Sequence, residues 1–67
     1  MATYQVSQQI QFRHAVTRKD LERVINAGEK ASIIAVAING MYTVKLHADG
    51  LLASMIMDED IKPSNEQ

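Results

Sequence analysis

The chain has 67 residues, of which 46% are hydrophobic and 22% are charged, and its formal net charge is −1. This composition is that of one folded domain, and it argues against a disordered chain or a histone-like polycation. The absence of cysteine excludes disulfides and thiolate metal sites. Since the core of so short a chain supplies only about 3–5 kcal/mol, we expect a second subunit or another partner to contribute stability.

The sequence also indicates a location for the protein. No basic segment followed by an apolar run occurs near residue 1, so we expect no secretory signal. The longest unbroken apolar run covers residues 33–38, whereas a membrane-spanning helix needs about 20 apolar residues. We therefore predict a soluble, cytoplasmic protein without membrane contact.

The first predicted element is a strand over residues 4–12. Apolar residues alternate there with polar ones, which is the pattern of a half-buried strand. Gln8 interrupts the alternation, and we expect a bulge or a bend at this position.

The second predicted element is a helix over residues 18–27. Thr17 and Asp20 are spaced like a capping box, and Gly28 suits the residue after the C-cap. Between them lie apolar residues at helical spacing, Leu21, Val24 and Ile25.

Two turn signals predict a three-stranded meander after the helix. Asn39-Gly40 lies between two apolar runs and favours a two-residue type I′ hairpin. Asp49-Gly50 predicts a second hairpin leading into residues 51–57.

Together these elements predict an α+β fold of order β-α-β-β-β, with one helix packed on an antiparallel meander. The ordered domain would cover residues 1–57, and the first strand would lie at a sheet edge or be exchanged between subunits. Residues 58–67 are acidic, then polar, and contain Pro63, so we expect a flexible tail.

The predicted registers divide the meander into two faces. The face under the helix would carry Ile33, Ala35, Ala37, Tyr42, Val44, Leu46, Ala53, Met55 and Met57. The opposite face would carry six further apolar residues, Ile34, Val36, Ile38, Met41, Leu52 and Ile56. We interpret the second face as an oligomer interface, most simply of a twofold dimer. In the alternatives, the first strand or the tail covers this face, or its apolar residues are merely scattered on the surface. A one-residue shift in the second hairpin would exchange the faces of its last strand.

One basic cluster lies around the predicted helix start. It consists of Arg13, His14, Arg18, Lys19 and Arg23. Cations in the first turn of a helix oppose its dipole, and a bound anion would remove that cost. The cluster is therefore a candidate contact for a phosphate or for an acidic protein partner, although it is also consistent with ordinary solvated surface charge.

The sequence contains no pattern typical of a catalytic or metal site. His14 and His47 have no second ligand at helical spacing, and the run Asp58-Glu59-Asp60 lacks the alternating ligands of a calcium loop. No serine lies in a nucleophile elbow. We expect no enzymatic activity, no metal and no cofactor.

These observations favour a non-enzymatic protein–protein interaction module. We expect a homodimer that acts as a small accessory or regulatory protein, of the kind frequent in phages and plasmids, and that binds another protein whose identity the sequence does not indicate. The alternative is a small nucleic-acid-binding regulator that contacts phosphates through the basic cluster.

Overall fold

The computed structural model describes residues 3–64, and within this range the protein is mostly β. It contains no α-helix there, so the predicted α+β class is wrong. A short 3₁₀ turn covers Asp58–Asp60. The strands are β1 (Gln9–Phe12), β2 (Lys30–Val36), β3 (Tyr42–Leu46), β4 (Leu52–Ile56) and β5 (Ile61–Pro63).

The five strands form one antiparallel sheet in the order β4-β3-β2-β1-β5. The two edge strands, β4 and β5, are joined only by Met57 and the 3₁₀ turn. A flat five-stranded sheet is roughly 19 Å wide at about 4.8 Å between strands, while a 3₁₀ turn advances only about 2 Å per residue. The sheet must therefore curl until its edges approach each other. β1 lies inside the sheet, between β2 and β5, and not at an edge as predicted.

The concave side of the curled sheet holds the core. Successive strand residues point to opposite sides, so every second residue of β1 and of β3 is buried. Within the described range the buried hydrophobic residues form one cluster of Tyr4, Ile10, Phe12, Ile25, Ala31, Ile33, Tyr42, Val44, Leu46, Ala53, Ile56 and Ile61.

The β2–β3 hairpin is present, but its turn is one residue longer than predicted. Gly40 N donates to Ala37 O at 2.9 Å, and Ala37 N donates to Met41 O at 2.8 Å. Gly40 has a φ of 87°, so residues 38–40 form a three-residue turn with glycine in the left-handed region. The extra residue shifts the pairing of the two strands by one position.

An irregularity at Ile34 shifts the β2–β3 pairing once more, between the pairs of Ile33 and Ala35. Ile33 is buried as predicted, opposite Val44 instead of Leu46. Beyond the bulge the sides are exchanged: Ala35 is exposed, and Val36 packs against the core.

The β3–β4 hairpin differs from the prediction in the same way. Its pairing ends with Leu46 N donating to Leu51 O at 2.8 Å, so four residues form the loop instead of two. Because the pairing shifts by two residues, an even number, Ala53 stays on the concave side as predicted. A bulge follows at Met55, which has a φ of 58°. Met55 consequently faces outward and Ile56 is buried, the reverse of the predicted arrangement.

Residues 13–29 form a long loop where the helix was predicted, and that prediction is wrong. Val16 and Ile25 pair as an isolated antiparallel bridge, with N–O distances of 2.8 and 3.0 Å. A helix of about ten residues is marginal on its own. The extended arrangement buries Ile25 completely, and it lets the arginines of the loop reach hydrogen-bond acceptors elsewhere on the protein.

The segment predicted to be a flexible tail belongs to the sheet as far as the structure describes it. Ile61 is fully buried, and β5 pairs with β1 along its length. Pro63 lies in this edge strand, where one side of the backbone needs no ladder partner. Residues 65–67 of the predicted tail lie outside the described range. β1 is shorter than predicted because a turn precedes it, in which Ser7 has a φ of 79°.

The Tyr42 hydroxyl joins three distant parts of the chain. Tyr42 is fully buried, and its hydroxyl accepts hydrogen bonds from Thr3 N at 2.9 Å and Tyr4 N at 3.0 Å. It donates to Asp58 Oδ1 in the 3₁₀ turn. The Tyr4 ring packs edge-on against the Tyr42 ring with centroids 5.7 Å apart. The N-terminal segment, β3 and the link between the sheet edges therefore meet at one oxygen atom.

Tyr42→Phe should destabilise the protein by about 1–3 kcal/mol, because two backbone N–H groups and one carboxylate would lose their partner. Urea unfolding measures this change. Tyr4→Phe is the matched control, because the Tyr4 hydroxyl makes no hydrogen bond with the described residues; we expect a change within about 0.5 kcal/mol. Equal stability of Tyr42→Phe and the unmodified protein would contradict the assigned role of the hydroxyl.

The protein should also lose stability at alkaline pH through Tyr42. Burial, and after it the hydrogen bond with Asp58, raises the pKa of Tyr42 above its usual value of 10.0. Above pH 10 the unfolded chain therefore releases a proton that the folded chain retains, and the free energy of unfolding falls. Urea unfolding from about pH 8 to about pH 11 should show a smaller fall for Tyr42→Phe. Parallel curves for the two proteins would refute this assignment.

Candidate functional site

The convex side of the sheet, called the outer face here, carries the candidate site. Its positions follow from the pairing, because directly paired residues point to the same side. Two rows cross the strands: Gln11 pairs with both Lys62 and Lys30, and Ser32 pairs with both Gln9 and Lys45. The second row continues to Leu52.

Charge is segregated on this face. The strands of the described range contain three charged residues, and all three are lysines on the outer face, Lys30, Lys45 and Lys62. The described carboxylates lie in loops and turns, at Asp20, Glu22, Glu29, Asp49, Asp58, Glu59 and Asp60. One end of the outer face is therefore positively charged, and we call it the lysine end.

Neutral polar groups lie between the lysines. Ser32 Oγ donates to Gln9 Oε1 at 3.1 Å and lies 3.0 Å from His47 Nε2. His47 is held beside Lys30, since its backbone N donates to Lys30 O at 2.9 Å. The lysine end thus combines three cations with hydrogen-bonding side chains.

The other end of the outer face is apolar, and we call it the apolar end. It consists of Ile34 and Ala35 of β2 with Leu52 and Met55 of β4, on either side of Thr43 of β3, and Leu52 borders the lysine end because it pairs with Lys45. Ile34 is 41% exposed, Leu52 57% and Met55 60%. These side chains are solvent-exposed in the single chain.

Only some of the six residues predicted to form the oligomer interface lie together on an exposed surface. Ile34 and Leu52 lie in the apolar end, and Ile38 is fully exposed at the tip of the β2–β3 turn. Val36 and Met41 are half-buried. Ile56 is in the core, because the bulge at Met55 turns it inward. Met55 takes its place outside, and no sequence signal marks a methionine for a left-handed backbone.

Three members of the predicted basic cluster attach the 13–29 loop to β4, to β5 and to the 3₁₀ turn between these strands. Arg13 Nε donates to Ile61 O at 3.0 Å, and His14 Nε2 lies 2.9 Å from Asp60 Oδ1. Arg18 donates to two successive β4 carbonyls, those of Ser54 and Met55. The loop therefore closes the gap between the sheet edges.

The other two members of the cluster are Arg23 and Lys19. Arg23 donates to both oxygens of Glu29, at 2.7 and 2.9 Å, and its Nε donates to Asp49 Oδ2 at 2.9 Å. Lys19 is exposed on the loop. The arginines hold the fold together through their forked donors, so an external phosphate would have to displace these contacts.

The described residues include no group of side chains that could hold a metal ion. No pocket is found among them.

No helix among residues 3–64 is long and apolar enough to cross a membrane.

Replacing Arg23 should reduce the loss of folding stability that the protein shows as the pH falls. Hydrogen bonds from Arg23 lower the pKa of Glu29 below 4.5 and that of Asp49 below 3.8. The stability that these pairs contribute is present above those values and is lost as the pH falls through the folded-state pKa values. Arg23→Gln should therefore lower the urea midpoint at about pH 7 and have a smaller effect at about pH 3. Lys19→Gln is the control, with the same charge change in the same loop. Identical pH dependence of the two variants would contradict the role of Arg23.

Comparison with known proteins yields no relative. No protein-family model, no curated protein and no solved structure matches this chain significantly.

Proposed function

We propose that the protein is a non-enzymatic interaction module that forms a homodimer through the apolar end of its outer face. The observation that carries this proposal is the exposure of Ile34, Leu52 and Met55 together on one side of a sheet whose other side forms the core. An antiparallel sheet with one solvated face normally carries polar residues on that face. A second copy is the occupant that the size of the chain favours, because small single cores usually need such support.

The energetics favour a weak dimer. Burying one such side chain completely contributes about 1.5–3 kcal/mol, so covering the exposed parts of these three residues on both copies would contribute roughly 5–9 kcal/mol. Association itself costs about 4–15 kcal/mol. Even the most favourable of these values leave a net gain of only about 5 kcal/mol, so the dimer should dissociate on dilution below about 0.2 mM or a higher concentration.

The dimer would act as a small accessory or regulatory protein in the cytoplasm, in keeping with a chain that has no cysteine. Its further partner would be another protein. The alternative function, phosphate binding through the basic cluster, has less support because Arg13, Arg18 and Arg23 already bind carbonyls and carboxylates of the protein itself.

Leu52→Lys should abolish the dimer, because a twofold interface would bring two new cations together in an apolar contact. Sedimentation equilibrium over a wide concentration range measures the change. The unmodified protein should rise above the monomer mass of 7.5 kDa as its concentration increases, and the variant should not.

Val24→Lys is the matched control, since Val24 is 42% exposed but lies in the 13–29 loop, outside the strands that carry the apolar end. This variant should dimerise like the unmodified protein. A concentration-independent monomer for the unmodified chain, or equal loss of dimer in both variants, would refute the proposed interface. Val36→Lys is unsuitable as a test because Val36 packs against the core.

A further inference from the structure

We propose that Asn39 in the β2–β3 turn is a site of spontaneous deamidation, so that the folded protein converts with age to a form with aspartate or isoaspartate at this position. The site goes beyond the proposed dimer function and uses none of the residues that form the apolar end. It consists of the Asn39 side chain and the backbone N of Gly40, both in the turn over residues 38–40.

The Asn39 side chain is held where its amide carbon can be attacked. Asn39 is exposed, and its Oδ1 accepts a hydrogen bond from Met41 N at 3.0 Å. Because this donor lies two residues further along the chain, the side chain folds back over the peptide group of Gly40, as asparagine does in turns of this kind. The same hydrogen bond withdraws electron density from the amide carbonyl and makes its carbon more electrophilic.

Gly40 supplies an unhindered nucleophile. No Cβ shields its backbone N, and no described atom outside its neighbours in the chain lies within 4 Å of the position that a Cβ would occupy. The Gly40 N–H donates to Ala37 O at 2.9 Å, and this bond must break before the nitrogen can react. Exposed turns open at a free energy far below that of global unfolding, so the reaction does not require the protein to unfold.

The reaction needs only water and hydroxide. The Gly40 amide gives up its proton to hydroxide, and its nitrogen forms a bond with Cγ of Asn39. The Cγ–Nδ2 bond breaks, and Nδ2 takes a proton from water and leaves as ammonia, so that a cyclic succinimide remains. Water then opens the ring at one of its carbonyls. Opening at one carbonyl gives aspartate, and opening at the other gives isoaspartate, in which the main chain runs through the side-chain carbon.

The next turn carries the related pair Asp49-Gly50, and its contacts protect it. An ionised carboxylate resists attack because the carbon carries negative oxygens and no good leaving group. Arg23 Nε donates to Asp49 Oδ2 at 2.9 Å, and hydrogen bonds from Arg23 lower the pKa of Asp49 below 3.8. A Cβ on Gly50 would also lie 3.6 Å from Lys45 Cε, so this glycine is less open than Gly40. The two turns therefore differ in reactivity within one molecule.

Conversion alters the element that sets the β2–β3 register. Isoaspartate adds one carbon to the main chain inside the turn, and the length of a turn fixes the pairing of the strands that it joins. Both products also place a new negative charge beside Ile38, which is fully exposed at the tip. The isoaspartate form should consequently unfold at a lower urea concentration than the unmodified protein.

Peptide mapping of the full chain over time tests this site. The protein is incubated at neutral and at mildly alkaline pH and digested with trypsin, and the peptides are separated by chromatography and weighed by mass spectrometry. Cleavage after Arg23, Lys30 and Lys45 places Asn26 in the peptide 24–30 and Asn39 in the peptide 31–45. The two asparagines are therefore followed separately in one sample.

The peptide 31–45 should acquire the mass change of an amide converted to an acid and should separate into two products of equal mass. Conversion should be faster at the alkaline pH and independent of protein concentration, because the attack is intramolecular. Asn26 should react at least about tenfold more slowly, since the Cβ of Ala27 hinders approach to its backbone N. Asn39→Gln should lose the conversion, because the attack would have to close a larger ring.

Ile61→Val separates reaction in the folded turn from reaction in unfolded chains. This variant removes one buried methyl group in β5, outside the β2–β3 hairpin. Reaction in the folded turn should leave the rate at Asn39 unchanged. Reaction through global unfolding would instead raise it by roughly 2- to 10-fold, in proportion to the unfolded fraction. Urea unfolding measures that fraction in both proteins.

Three results would overturn the proposal. The first is an unmodified Asn39 in the folded protein after a time that converts the chain in urea. The second is an equal rate at Asn26 and Asn39, which would mean that the turn confers no reactivity. The third is a rate in Ile61→Val that rises with the unfolded fraction, which would assign the reaction to unfolded chains.

Discussion

The short connection between β4 and β5 is the constraint on which the rest of this structure depends. Met57 and a single 3₁₀ turn join strands at opposite edges of the sheet, and the sheet can satisfy that connection only by curling. Curling creates a concave side deep enough to bury a core in a chain of 67 residues. The Tyr42 hydroxyl fixes the connection by bonding Asp58 and the backbone of Thr3 and Tyr4. The same curling makes the outer face, with its two ends, the convex side of the sheet.

The sequence predicts where the strands lie along the chain better than it predicts their pairing register. Glycine and asparagine mark the β2–β3 turn, and the alternation of apolar residues identifies Ile33 and Val44 as core residues. The length of each turn and the bulges at Ile34 and Met55 decide the register of the strands. Bulges carry no residue signature here, so the predicted sides are exchanged at Ala35 and Val36 and again at Met55 and Ile56. Tyr42, Val44, Leu46 and Ala53 are buried on the predicted side. The predicted helix fails for a different reason: apolar spacing over residues 16–25 also suits a loop that buries Ile25 and leaves Val24 exposed.

Arginine and lysine have different roles in this molecule. Arg13, Arg18 and Arg23 direct their planar, multiple donors at acceptors of the protein itself. The lysines of the strands, Lys30, Lys45 and Lys62, occupy positions on the outer face. Sequence proximity grouped the arginines into a candidate site, whereas the lysines come from three strands distant in the chain and become neighbours only through the sheet register. The lysine end could therefore not have been found before the strand pairing was known.

The position of Arg18 also bears on how this protein avoids uncontrolled self-association. An edge strand with free carbonyls is a template on which another chain can extend the sheet, the route to domain-swapped or fibrillar assemblies. Two successive carbonyls of the edge strand β4 already accept hydrogen bonds from Arg18, beside a bulge that interrupts the regular repeat. At the other edge, Pro63 of β5 has no N–H to offer. Growth by strand addition is impeded at both edges, so further copies or other molecules are directed to the broad surface of the sheet.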